Sequence, residues 1–333
     1  MEAIPALAAC IIISFIFSRL AKAAGVSVVI GLIAAGLFIG FPAVSGILAG
    51  DNAELIFGLG NIGFLLLMLL AGLEVSWSML YRERKDALIL ALFAAFVPLF
   101  MGTAAMLLLG FPLLTSITVG ACMSITAEAT KARLLMEFGK LETRIGSLMM
   151  GAGILDDLLG LGLFLVLVYL ATGTMFSRES LLVLGAIGSF FLGIAIHRIF
   201  SRETAHIKAF ERLALALIVP FFFVSMGMHF DLYSLLLNPV VLAAVLSISV
   251  LGKITGSLLT KRFNNFTFQQ LYLVGWGMNS RGAVELALAF IAFRAGFITA
   301  ELYSALVLMA LFTTVLFLVV FRGIVSKNPG IMD

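Results

Sequence analysis

From Ile145 to Ser177 the chain carries only two charges, and they are neighbours: Asp156 and Asp157. A helix needs about 20 predominantly apolar residues to cross a bilayer, so this run predicts a membrane-spanning helix with two carboxylates inside it. One carboxylate at bilayer depth costs roughly 3 kcal/mol on insertion scales. Two neighbours also repel each other. A chain that keeps such a pair must offset the cost with a bound cation, with protons or with a basic partner, and that points to ion handling. The competing reading, an Asp pair at a helix end facing water, meets apolar sequence on both sides.

The rest of the chain repeats the pattern. Of 333 residues, 62% are hydrophobic and 12% charged, with a mean hydropathy of +1.18, where a soluble domain is about 25% charged. This predicts an all-α polytopic membrane protein. Eleven spans are expected, at about 3–22, 26–48, 55–77, 87–110, 112–138, 144–172, 179–200, 209–230, 234–259, 268–293 and 301–322. No long polar segment separates them, so residues 1–333 read as a single transmembrane domain without a soluble one. Cys10 and Cys122 both fall in apolar runs and suggest neither a disulfide framework nor a cysteine metal site. The first run lacks a basic flank before it and reads as a span, not a cleavable leader.

Charge placement tests the count. Arg19, Lys22, Arg82, Arg84, Lys85, Lys140, Arg144, Arg198, Arg202, Lys208, Arg212, Lys261, Arg262, Arg322 and Lys327 all fall on one side of an eleven-span chain. Only Arg178 and Arg294 fall on the other. This asymmetry follows the positive-inside rule and predicts an outer N-terminus and a cytoplasmic C-terminus.

Two spans look broken. Span five reads SITAEATKARLLMEFG and span ten reads GWGMNSRGAVELALAF. Interrupted helices at matching places in two halves point to a transporter's binding site, because unwound backbone offers carbonyls to a cation and amides to an anion. Alternatively, the small residues serve only close helix packing. Polar lining residues of these stretches are Thr126, Glu128, Thr130, Lys131, Asn279 and Ser280.

Charges embedded in or near spans usually pair and mark an ion or proton path. Here they are Glu74, Glu128, Asp156, Asp157 and Glu285, with Lys131, Arg133, Lys253 and Arg281. Adjacent helical positions differ by about 100°, so Asp156 and Asp157 point different ways. One can face a basic partner and the other a wet cavity. Lys253, deep in span nine, is the best lone cation to meet them, and a lysine beside a carboxylate in low dielectric can titrate. The alternative for Lys253 is snorkelling to the interface. Arg281 and Glu285, four apart, share a helix face, as do Glu128 and Lys131, three apart; both read better as structural pairs. His206, in a basic loop, could sense pH or simply be solvated. No nucleophile–His motif or metal cluster suggests a hydrolase.

The segments GILDDLLGL, FLLLMLLAGLEV, PFFFVSMGMHFDL, Gly252-Lys253 and NSRGAVELALA together resemble bacterial sodium/proton antiporters of the second monovalent cation/proton antiporter family, over nearly the whole chain. The resemblance implies two inverted repeats, with broken spans five and ten crossing near the ion site. It implies a core domain of helices about 87–172 and 234–322 and a dimer panel of helices about 1–77 and 179–230. It implies that Asp157, with Asp156, binds sodium or protons, and that Asp156 partners Lys253. Electrogenic exchange of sodium or lithium for protons in the inner membrane is expected, by a homodimer in the lipid bilayer, with no cofactor and no nucleic acid. Potassium/proton exchange, sodium-coupled solute symport and a non-transporting sensor are the alternatives.

Two departures from the family stand out. Two spans usually found between span seven and PFFFVSMGM are missing, since only Ser201 to Lys208 separates them. Glu128 and Lys131 also stand where relatives usually have small polar residues.

Overall fold

With no water in the hydrocarbon to bond backbone groups, a spanning segment must satisfy them internally, and helices do so. The computed structural model describes residues 3–23, 27–48, 52–74, 84–126, 128–199, 205–231, 233 and 238–332, and no strand occurs among them. Arg82 and Arg202 of the charge pattern lie outside the described residues. The α-helices are α1 (Ala3–Ala23), α2 (Val28–Gly40), α3 (Pro42–Leu48), α4 (Ala53–Glu74), α5 (Arg84–Leu108), α6 (Leu113–Ser124), α7 (Glu128–Glu137), α8 (Arg144–Thr172), α9 (Arg178–Ile199), α10 (Ala205–Leu217), α11 (Val219–Met228), α12 (Pro239–Leu259), α13 (Phe268–Gly277), α14 (Ala283–Arg294) and α15 (Ala300–Lys327).

These helices take up the eleven expected spans. Among the described residues eight stretches are long and apolar enough to cross a membrane, one of them formed by α10 and α11 together. The other three expected spans are pairs of shorter helices: α2 with α3, α6 with α7, and α13 with α14. The last two are the breaks expected from sequence. The interruption at Phe41 was not expected. It precedes Pro42, and the residue before a proline is pushed to extended backbone, here φ −62° and ψ 133°. The step between α10 and α11 also involves a proline but by another route: Ile218 stays in the right-handed helical region, and Pro220, in the first turn of α11, has no N–H to donate to the preceding turn.

The ends of the site-bearing helices are fixed locally. Thr143 caps α8, its hydroxyl accepting from the Gly146 amide at 3.1 Å. Gly173, at φ +70°, closes that helix in the left-handed region that favours glycine. Thr267 and Gln270 form a reciprocal capping box at the start of α13.

The chain forms two compact units. The first is Met1–Val75 with Leu184–Asp231. In it α11 packs against both α2 and α4, and α2 packs against α1. Cys10, Ala35, Ile39, Ile56, Phe221 and Val224 fill its core. Helices α2 and α11 meet glycine to glycine: a Cβ on Gly36 would lie 2.9 Å from the Gly227 Cα, and a Cβ on Gly227 would lie 2.9 Å from the Gly36 Cα. Apolar burial drives little association in lipid, so such close backbone packing carries more of the load.

The second unit is Ser76–Val183 with Leu232–Asp333. It runs twice through one order: long helix, broken helix, long helix. These are α5, α6–α7, α8, and then α12, α13–α14, α15. Helix α5 packs on α6, α8 and α12; α12 packs on α13 and α15; and α6 meets α14. Leu90, Leu148, Met149, Leu273, Val274, Phe317 and Phe321 belong to its main core. Gly252 lets α12 close on α5 at Pro98, where a Cβ would lie 2.7 Å from the proline ring. That contact sets the height of the next residue, Lys253.

Candidate functional site

The two helix breaks of the second unit touch. Thr126, just past the end of α6, places its hydroxyl 3.2 Å from the Met278 carbonyl, just past the end of α13. The Arg281 guanidinium donates in return to the Ile125 carbonyl. The last carbonyls of a helix have no partner within it. Buried in a bilayer they need one. At α6 the Ser124 hydroxyl bonds the Ala121 carbonyl at 2.7 Å, and the Lys253 ammonium takes the Ser124 carbonyl. At α13 the Asn279 amide bonds the Gly275 carbonyl at 2.9 Å, and the Ser280 hydroxyl bonds that of Gly277 at 3.2 Å. The polar residues of the broken stretches thus bond the free backbone of the breaks. Both cations also sit at the C-terminal, negative end of the α6 dipole.

Helix α8 brings its aspartates to this crossing. Asp156 is 1% exposed, and its Oδ2 takes the Lys253 ammonium at 2.9 Å and the Thr126 hydroxyl at 2.5 Å. An O–H donor at that distance from a carboxylate makes a charge-assisted bond. The lysine side chain is fully buried, so it does not snorkel to the helix end. Asp157, one position on, is 6% exposed, and its Oδ1 is buried with no hydrogen-bond partner among the described residues. Glu128, Asp156, Lys131 and Lys253 are the charged groups within electrostatic reach of it.

Glu128 and Lys131 open α7 and pair at 2.8 Å, with the lysine fully buried. A carboxylate in the first turn also suits the positive N-terminal end of the helix dipole. The pair lies against bare backbone of α8: a Cβ on Gly153 would collide with the Glu128 carboxylate and stand 2.6 Å from the Lys131 ammonium. Lys131 also lies 3.7 Å from the Met278 sulfur. Arg281 and Glu285 are a buried pair at 3.7 Å, longer than a hydrogen bond. Arg281 is held mainly by backbone: its side chain bonds the Ile125 carbonyl and, at 3.3 Å, that of Ser249, while its amide bonds the Thr314 hydroxyl at 3.2 Å. Thr130 is half-buried, and no hydrogen bond among the described residues joins it to the others.

The structure therefore brings Asp156, Asp157, Lys253, Thr126, Glu128, Lys131, Asn279, Ser280, Arg281 and Glu285 into one region and leaves Thr130 at its side. It adds the carbonyls of Ser124, Ile125, Ser249 and Met278, which carry no side-chain signal, and Thr314. Only the break itself could have pointed to the Ser124 and Met278 carbonyls. Among the described residues no group of three or more His, Cys, Asp or Glu side chains converges as a fixed metal cage would.

Comparison with known proteins agrees over almost the whole chain. The chain is similar to the Na(+)/H(+)-K(+) antiporter GerN of Bacillus cereus, 27% identical over 341 residues, with 86% of this chain and 87% of that protein covered. It is 24% identical to the Na(+)/H(+) antiporter of Enterococcus hirae over 377 residues, with 95% and 96% covered. That alignment uses about 316 residues of this chain, so about 60 of its positions have no residue here, the length of two spans and their loops. In fold, the chain resembles the sodium proton antiporter MjNhaP1 of Methanocaldococcus jannaschii at pH 8, with a TM-score of 0.69 at 19% identity, covering 97% of this chain and 96% of that one. The family model described as "Sodium/hydrogen exchanger, transmembrane" matches in two stretches, residues 7–184 and 163–327. With its helices, its two touching breaks and these matches, the chain belongs to the transmembrane sodium/hydrogen exchanger family.

Proposed function

We propose that this protein exchanges sodium for protons across the cytoplasmic membrane by alternating access, with Asp157 as the carboxylate that binds one or the other. The observation that carries the reading is the contrast between two adjacent aspartates. Asp156 takes a lysine and a hydroxyl through its Oδ2, whereas no hydrogen bond or ion pair to either oxygen of Asp157 occurs among the described residues. A buried carboxylate without a fixed partner needs a mobile one. A proton or a sodium ion each neutralises it, and neither can hold it while the other does. That competition is the chemistry of an exchanger. Carbonyls at the breaks, hydroxyls and water would replace the hydration shell of the ion.

Asp156 and Lys253 form the second element of the cycle. The Thr126 hydroxyl has one proton and two acceptors, the Asp156 carboxylate at 2.5 Å and the Met278 carbonyl at 3.2 Å. Protonation of Asp156 would release Lys253 and let Thr126 turn its proton to Met278, so a change of charge at one break is felt at the other. By this route the exchange moves net charge.

The second unit is then the core that carries the ion, and the first is the panel through which two copies dimerise. The basic asymmetry of the loops supports a cytoplasmic C-terminus and an outer N-terminus. Lithium is the expected alternative ion.

The test is proton flux in proteoliposomes with an imposed pH gradient, on addition of sodium, lithium or potassium, with Asp157→Asn as control. A sodium or lithium response that disappears in folded Asp157→Asn supports both exchange and the site. A full response in that variant would sink the site, and a response to potassium alone would replace sodium as the cargo.

A further inference from the structure

We propose that Lys131 is a tethered cation that competes with the transported ion for Asp157, and that Glu128 is the carboxylate that holds it back. The inference rests on the antiport reading for its cargo and on the geometry of α7 against α8 for its content.

Gly153 and Asp157 lie four residues apart and so share one face of α8. Side chains on a helix lean back over the preceding turn, so the Asp157 carboxyl overhangs the turn that contains Gly153. The Glu128–Lys131 pair packs on that same bare turn, close enough that a single methyl at Gly153 would overlap it. Glu128 therefore holds the buried ammonium, and Asp157, on the same face of α8, lies within its electrostatic reach. Lys131 is bonded to Glu128 at 2.8 Å, and among the described residues no ion pair joins it to Asp157, whose Oδ1 lacks a partner. A lysine has three rotatable donors on a flexible stem. If Lys131 turns toward Asp157, it supplies the same single positive charge as a sodium ion and leaves the ion no carboxylate. The partition of Lys131 between Glu128 and Asp157 then sets how much sodium the site needs.

The pair differs from the Asp156–Lys253 pair in what its loss should do. Removing one member of a buried ion pair leaves the other charge uncompensated. In Glu128→Gln, the ammonium has Asp157 as the carboxylate nearest at hand. The sodium KM should rise by roughly tenfold or more. In Lys131→Gln, the competitor is gone and KM should fall. The double variant Glu128→Gln with Lys131→Gln also lacks the competitor, so its KM should fall back to the wild-type value or below it, although both residues have been changed.

The experiment measures sodium KM and Vmax in proteoliposomes for the wild type and these three variants. In parallel it measures the rise in melting temperature of the purified protein with sodium, a readout of binding that needs no transport. Rescue of KM and of sodium stabilisation in the double variant is the expected result. A Glu128→Gln variant that loses Vmax at unchanged KM, or a double variant as impaired as the single one, assigns the pair a purely structural role. If the wild type carries no sodium-driven flux but sodium stabilises it and Glu128→Gln weakens that stabilisation, the competition stands and the antiport reading falls. If sodium neither moves nor stabilises the wild type, both fall.

Discussion

Lys253 carries two jobs at residue scale: it neutralises Asp156 and it caps the Ser124 carbonyl. Its replacement by alanine strands a carboxylate and a carbonyl together. Breaking a buried pair costs about 3–5 kcal/mol, so Lys253→Ala should lower the melting temperature in detergent strongly. Adding Asp156→Asn should recover part of the loss. An unchanged melting temperature in Lys253→Ala would mean that the pair contributes nothing to the fold. Thr126→Val should be milder, about 1.5–3 kcal/mol for one bond to a charged group, by the same measurement. The charged members of the candidate site stood out in the sequence because charge is rare in apolar runs, where no surface role competes. That Lys253 meets the aspartate pair could be inferred because few carboxylates lie at its depth; that it takes Asp156 came only from the family resemblance. The Ser124 and Ser249 carbonyls could not be, since every residue has one and only the path of the chain selects which is used.

Among elements, the breaks in α6–α7 and α13–α14 were readable from their small and polar residues. What was not readable is that they touch, because no local pattern reports a contact between Thr126 and Met278, 152 residues apart. The interruptions at Phe41 and Ile218 follow from Pro42 and Pro220. A proline inside an apolar run can kink a helix or end it, and packing decides which. The same limit applies to glycine. Nothing in the sequence marks Gly36 and Gly227 as mutual contacts, yet their backbones close to the point where a side chain has no room. Gly227→Val should therefore cost about 1–3 kcal/mol by overpacking, read as a lower melting temperature in detergent. Gly58, with open space where its Cβ would lie, is the matched control and should tolerate alanine.

For the whole molecule, the count of spans and the family were legible because periodic apolar runs and basic loops act over the full length. A missing pair of spans is read from the sequence where only Ser201 to Lys208 bridges two others, and the roughly 60 unmatched positions of the Enterococcus hirae relative agree with it in length. Sidedness can be checked with little background, because Cys10 and Cys122 are both buried. A cysteine placed at Arg294 should react with an impermeant thiol reagent in intact cells, and one at Lys140 should react only after the membrane is opened. The reverse pattern would invert the topology. The capping of α6 by a titratable ion pair has a consequence for the molecule's motions. Lys253 and Arg281 do at the end of that helix what two backbone amides would do in an unbroken one. A change of charge in the site therefore changes how firmly the last turn of α6 is closed, and local opening of a helix end is measured by amide hydrogen exchange. Residues 113–124 should exchange faster in whichever ionic condition draws Lys253 away, which would make deuterium uptake by this one segment a clock for the transport cycle.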